Sequence, residues 1–242
     1  RCVQFEKNIM QRLIFLLFIG ILSCNSQKKE QKNNVQPEQN KSEIVVKLSG
    51  KEIVSELDKL EFFNLTDESE LETVKQEFAE SKDKWNFFSG TMRGETTDYT
   101  DNRFFAVDCE TLFETDGLTE YLDKVKSSFE KLELKLDYAN EKSEQTDNYW
   151  KHTIELNGTE YVAFDGQFTD YDWGIAYLNF IKMLNSELKN QNSENRFYPI
   201  KCDNDGEMVL LTFKQFDFAK KHFPNDNEHP KKLSEWKNIN GL

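Results

Sequence analysis

Trp150-Lys151-His152-Thr153-Ile154-Glu155-Leu156, then Asn157-Gly158, then Thr159-Glu160-Tyr161-Val162-Ala163-Phe164, is the stretch that decides the fold. Its first half alternates apolar and polar side chains at the two-residue period of a strand with one buried face. Asn157-Gly158 supplies the two positive-φ positions of a type I′ turn, whose twist suits a pair of antiparallel strands. A tight hairpin follows from these residues alone. As the polar imidazole in this strand, His152 is expected on its solvent face.

Working outward, Ile175, Leu178, Ile181, Leu184 and Leu188 recur at helical spacing and predict the longest buried helix over Trp173 to Leu188. Arg196 to Cys202 and Glu207 to Phe213 flank Asp203-Asn204-Asp205-Gly206 and read as a second hairpin, with Thr212 and Gln215 placed to cap a helix that runs to His222. Pro224 and Pro230 break the chain before a short terminal helix around Trp236. On the N-terminal side, Leu132 to Tyr138 alternates like a strand. Leu118, Tyr121, Leu122, Val125, Phe129 and Leu132 form one helical stripe before it. Phe87-Phe88 and Arg103 to Val107 read as two short strands. Ile53, Leu57 and Leu60 mark one opening helix, and Leu71, Val74 and Phe78 a second, preceded by an Asp67–Glu70 capping pattern. Helices and strand pairs thus come in blocks, which predicts an α+β domain with helices packed on a mostly antiparallel sheet. An α/β core with a parallel pair is the alternative.

The 242 residues are 37% hydrophobic and 13% aromatic, enough to bury a sizeable core. Lys plus Arg number 31 against 44 Asp plus Glu, a formal charge of -13, so a partner held by phosphate neutralisation is disfavoured and no nucleic acid is expected.

The first segment reads as an address. Lys7 and Arg12 precede the apolar run Leu13 to Leu22, which is too short to span a bilayer that needs about 20 helical residues. Ser23-Cys24 closes it before the polar Asn25-Ser26-Gln27-Lys28-Lys29-Glu30. Ile21-Leu22-Ser23-Cys24 resembles the lipobox of bacterial lipoproteins, and the resemblance covers the leader alone. It implies a signal peptide over 1–23, a lipidated Cys24 at the mature N-terminus, and a membrane-anchored place in the bacterial cell envelope. Met10 stands just before the run, so residues 1–9 read as an over-extended start or as upstream reading. Residues 24–42, nearly all polar, read as a flexible tether, and 43–242 as one acidic domain. Removing residues 1–23 takes away Arg1, Lys7, Arg12 and one carboxylate, Glu6, so -13 becomes -15.

Two features stand out as candidate sites. Asp165-Gly166-Gln167-Phe168-Thr169-Asp170-Tyr171-Asp172-Trp173-Gly174 combines carboxylates and aromatics between a strand and a helix, with Asp165, Asp170, Tyr171, Asp172 and Trp173 as candidate binding residues. Such a loop suits a cation, a sugar ring or a basic protein, while helix capping by Asp170 or Asp172 over a packed Trp173 explains the same residues. Asp98 and Asp101, in the acidic segment 96–102, would extend that surface if the fold brings the two segments together. Cys109 and Cys202 each end an expected strand and are candidates for a disulfide in an oxidising compartment.

Chemistry has little support. His152, His222 and His229 fit no zinc motif, and Asp203 to Glu207 departs from a calcium loop because its glycine comes fourth. GxSxG, Walker and GxGxxG patterns are absent, so no metal, cofactor or catalytic residue is expected. The favoured reading is a lipid-anchored, non-enzymatic binding module for a basic protein, loosely similar in size, charge and layout to acidic inhibitor or immunity proteins. A carboxylate-dependent hydrolase using a pair among Asp98, Asp101, Asp170 and Asp172, a carbohydrate-binding lipoprotein, and a structural envelope role are the alternatives.

Overall fold

A computed structural model describes residues 47–81, 101–201, 205–223 and 229–242 of the chain. In order these form α1 (Gly50–Lys59), a 3-10 turn (Phe62–Leu65), α2 (Leu71–Ser81), β1 (Phe104–Asp108), α3 (Cys109–Phe113), α4 (Gly117–Lys131) and β2 (Tyr138–Thr146). There follow β3 (Tyr149–Leu156), β4 (Thr159–Gln167), α5 (Asp172–Asn190), β5 (Asn195–Lys201), β6 (Asp205–Thr212), α6 (Phe213–His222) and α7 (Leu233–Ile239). Among the described residues the strands make two three-stranded sheets, β1-β6-β5 and β2-β3-β4, and every pairing is antiparallel. The fold is α+β, and the parallel-pair alternative finds no counterpart in these residues.

The β1-β6-β5 sheet is covered on both faces. Phe105, Val107, Phe197, Met208 and Leu210 point into a core shared with α4, α5 and the other sheet. Their neighbours Phe104, Ile200, Val209 and Leu211 point into a second core built with α1, the 3-10 turn, α2 and α6. Two apolar faces explain why Phe104 to Val107 and Met208 to Leu211 read as continuous apolar runs rather than alternating ones. Each such side chain, fully buried, contributes roughly 1.5–3 kcal/mol. The β2-β3-β4 sheet has one buried face, so Trp150, His152, Ile154 and Leu156 of β3 lie inward together.

Local signals set the helix ends. Ser49 and Glu52 form a reciprocal capping box at α1, and Thr212 and Gln215 form one at α6, each exchanging side chain for backbone N–H. The β3–β4 turn has Asn157 at φ 49° and Gly158 at φ 83°, with Leu156 facing Thr159. The Asn157 side chain accepts from Asp137 N at 2.9 Å and donates to Glu187 at 2.6 Å, which ties the turn to α5. The Tyr161 hydroxyl donates to Glu187 at 2.5 Å, and burial with that carboxylate pushes its pKa up to about 12.

Three expectations need correction. Residues 132–137 form no strand: Leu132 closes α4, while Leu132, Leu134 and Leu136 alternate because they drape over the core. The strand is β2, whose YANEKSEQT sequence carries no apolar alternation because it is a solvent-facing edge, held by the backbone of β3. Cys109 does not end a strand; β1 stops at Asp108, whose carboxylate accepts from Glu110 N and Thr111 N and starts the short α3. The third is His152, which is fully buried. The same alternation that turns Trp150, Ile154 and Leu156 inward carries the imidazole with them. Phe87-Phe88, residues 203–204 of the second hairpin turn, and residues 1–46 with Cys24 lie outside the described residues.

Candidate functional site

Trp150 begins the inward face of β3, opposite Gln145 on β2 and the side-chain-free Gly166 on β4. The slip in register between His152 and Thr153 gives β4 one extra residue there, so Phe164 faces His152 while Val162 faces Thr153. Phe113, at the end of α3, meets Phe164 edge-on at 5.0 Å between ring centroids and stands 5.9 Å from Trp150 and 6.3 Å from Phe168. Phe113, Trp150 and Phe168, with Glu114, Thr115 and Gln145, line a cleft of about 430 Å³. Small-molecule and side-chain pockets fall in the range of roughly 300–1,000 Å³. The indole is 6% exposed, and its Nε1 has no hydrogen-bond partner. An N–H donor buried without an acceptor costs about 1–3 kcal/mol. Phe168 at the mouth is 40% exposed and Tyr171, three residues on, 54%.

The position of α3 fixes the cleft wall. Cys109 at its start is fully buried and disulfide-bonded, and a Cβ placed on Gly206 of the neighbouring β6 would stand 2.9 Å from its Sγ. Glycine at 206 is therefore what gives the sulfur room. Cys202 lies outside the described residues.

Behind Trp150, His152 Nε2 donates to Glu141 at 2.7 Å. Glu141 reaches in from β2 and also accepts from Leu118 N at 3.1 Å and from Thr119 N and Oγ1 at 2.8 and 2.5 Å. Burial alone would raise this carboxyl, but the bonds from His152 and Thr119 outweigh it and hold it below the ordinary glutamate value. One carboxylate thus caps the start of α4 and anchors the histidine, whose Nδ1 is buried without a partner.

The sequence-predicted residues separate into different places. Asp172 is buried as the first residue of α5, and its carboxylate accepts from Thr169 N at 2.9 Å and Thr169 Oγ1 at 2.7 Å, closing the loop on itself. Trp173 packs against the core. Asp165 accepts from the Tyr149 hydroxyl at 2.6 Å, on the opposite side of β4 from Gly166 and the cleft. Asp170 and Tyr171 are exposed. Asp98 lies outside the described residues.

Asp101 is elsewhere. It sits ahead of β1, 1% exposed, accepting from Arg103 N at 2.9 Å and from Thr66 Oγ1 at 3.4 Å. Burial raises its carboxyl, opposed chiefly by Arg103, whose own pKa burial lowers to about 10. No hydrogen bond or ion pair joins Asp101 to the 165–174 loop among the described residues, so the two acidic segments do not meet through Asp101. Among the described residues, Glu114 is the only carboxylate lining the cleft, and no group of three His, Cys, Asp or Glu is placed to hold a metal ion. No helix among them is long and apolar enough to cross a membrane.

Reading by local motif missed the cleft because its rings come from three distant segments. Phe168 alone lay in the loop already singled out. Comparison with family models, curated proteins and solved structures found no match to this chain.

Proposed function

We propose that the protein is a lipid-anchored binding module of the bacterial cell envelope, without chemistry of its own, that holds a basic protein partner on the face around the Phe113–Trp150–Phe168 cleft. The observation that carries this reading is the cleft itself, an aromatic hollow lined by Phe113, Trp150 and the exposed ring of Phe168, with the exposed Tyr171 three residues along the same loop. Binding energy concentrates in such anchor pockets, where a few aromatic side chains are desolvated together. The charge of -13 supplies the complementary steering toward a basic partner. Of the carboxylates a hydrolase would use, Asp101 and Asp172 are committed to internal hydrogen bonds. The bonded Cys109 supports an oxidising compartment, and we assign its partner as Cys202, which directly follows the end of β5 at Lys201, across the sheet from Glu207.

Two measurements test the reading. Full-length wild-type protein used as bait in envelope extract is expected to recover a basic protein, with recovery reduced about tenfold by Phe168→Ala together with Tyr171→Ala, as for the loss of an anchor contact. Recovery of nothing basic above background would overturn the partner assignment. For the anchor, metabolic labelling with a radioactive fatty acid should mark the wild-type chain and leave Cys24→Ser unlabelled; equal labelling of both would remove Cys24 as the lipidated residue.

A further inference from the structure

We infer that the outer face of α6, with the cleft between α6 and α1, rests on an anionic lipid headgroup surface, that of the membrane to which the chain is anchored; the inference rests on the lipid-anchored reading above. Leu48, Leu60 and Phe218 line the apolar part of this cleft of about 450 Å³, and Lys59, Lys214 and Lys221 its basic part. Lys59 is matched by Glu56 at 2.6 Å. Lys214 and Lys221 are exposed and make no hydrogen bond or ion pair among the described residues, with Asp217 as the one other carboxylate of the lining. Lysines thus outnumber carboxylates here, in a chain of charge -13 whose aromatic cleft holds no cation. Beside Lys214, Phe213 is 60% exposed. Exposed lysines next to an exposed aromatic ring on one helix suit the boundary between headgroups and acyl chains.

Two further observations support a membrane. The described chain begins at Lys47, and Leu48 already lies in the cleft wall, so the chain toward Cys24 departs from this face. Residues 25–46 as a polar coil would reach roughly 25 Å, which keeps this face near the bilayer and lets weak contacts count through effective concentration. Each lysine at an anionic surface strengthens attachment about fivefold. The second observation is Lys214 itself. The first turn of α6 has no acidic residue and places this cation at the positive end of the helix dipole, where it lowers helix stability. Lys221, in the last turn, is where the dipole favours it. A facing anionic surface accounts for both. Because α6 packs in the second core, across the β1-β6-β5 sheet from α5 and β3, Trp150 and its cleft would remain on the side away from the lipid.

The test is lysine acetylation of the full chain as purified, read residue by residue by mass spectrometry, on vesicles of phosphatidylglycerol with phosphatidylcholine and on vesicles of phosphatidylcholine alone. Lys214 and Lys221 are expected to react at least about fivefold more slowly on the anionic vesicles, while Lys189, exposed on α5, reacts equally on both. About 1 M salt, with a Debye length near 3 Å, should remove the protection. Lys214→Glu should expose Lys221 on anionic vesicles while melting no lower than wild type, since a carboxylate suits the first turn of a helix. Equal reactivity of Lys214 and Lys221 on both vesicle types would overturn the assignment, as would protection that appears only when envelope extract is added, which would give the face to a protein. The anchor is read separately by the fatty-acid labelling above. If Cys24 is labelled and the lysines stay reactive, the anchor stands and this face falls. If Cys24 is unlabelled and the lysines are still protected on anionic vesicles, the anchor falls and the face stands; if neither is seen, both fall.

Discussion

Glu141→Ala is expected to destabilise the fold by about 3–5 kcal/mol, the range for removing one member of a buried hydrogen-bonded pair. The carboxylate serves three clients at once, the fully buried His152, the Thr119 hydroxyl, and the first free N–H groups of α4 at Leu118 and Thr119. Alanine leaves the imidazole with no partner at either nitrogen, since Nδ1 already has none. Thermal melting should show the midpoint lower by roughly 10 °C, at about 2–4 °C per kcal/mol for a domain of this size. Glu141→Gln, which keeps one acceptor oxygen, should lose less. The pair also imposes a pH dependence. A carboxyl held below its unfolded value contributes stability that is fully present above that value, 4.5 for glutamate, and lost as pH falls through the depressed folded value. Wild-type stability should therefore drop more steeply below about pH 4.5 than that of Glu141→Gln. A loss under 1 kcal/mol on Glu141→Ala would mean that the pair does not organise this end of the sheet.

What the sequence disclosed and what it hid divide along physical lines. The hairpin at Asn157-Gly158, the stripe on α4, the long α5 and the Thr212 capping box were legible because each depends on neighbours in the chain. Edge strand β2 was not, because most of its residues face water, the one that reaches inward, Glu141, is itself charged, and its pairing is dictated by β3 rather than by apolar side chains of its own. His152 shows a different failure. Its parity with Trp150 and Ile154 already placed it inward, and only the polarity of imidazole argued otherwise; the carboxylate that makes burial tolerable comes from β2, eleven residues earlier. The acidic loops were conspicuous for composition, yet Asp101 and Asp172 are consumed by internal bonding. The cleft draws on residues 113–115, 145, 150 and 168, a set that only tertiary pairing assembles.

Arg103→Met should be more damaging still, at about 5 kcal/mol, because it strips several main-chain acceptors and one buried carboxylate together. The guanidinium, 1% exposed, donates to the carbonyls of Phe62, Leu210 and Glu61 and to Asn64, while its charge faces Asp101 and the Phe62 ring at 5.1 Å. It thereby joins the 3-10 turn to β6 across the start of β1. Methionine fills much of the space but satisfies none of those oxygens, and it leaves the Asp101 carboxylate buried without its counter-charge. Adding Asp101→Asn removes that charge but not the orphaned carbonyls. The double variant should therefore recover about 1–3 kcal/mol relative to the sum of the two single losses, the usual coupling for groups in contact. The pH dependence runs opposite to that of Glu141. Asp101 is already raised by burial, and loss of Arg103 removes the chief influence opposing that rise. A carboxyl whose folded value lies above its unfolded 3.8 favours folding while protonated, so the Arg103→Met variant should lose stability as pH climbs past that point. Asp101→Asn in the same background should flatten the slope. Denaturant titration from about pH 4 upward, starting near the unfolded carboxyl value, reads both effects. A slope that survives in the double variant would place the titrating group somewhere other than Asp101.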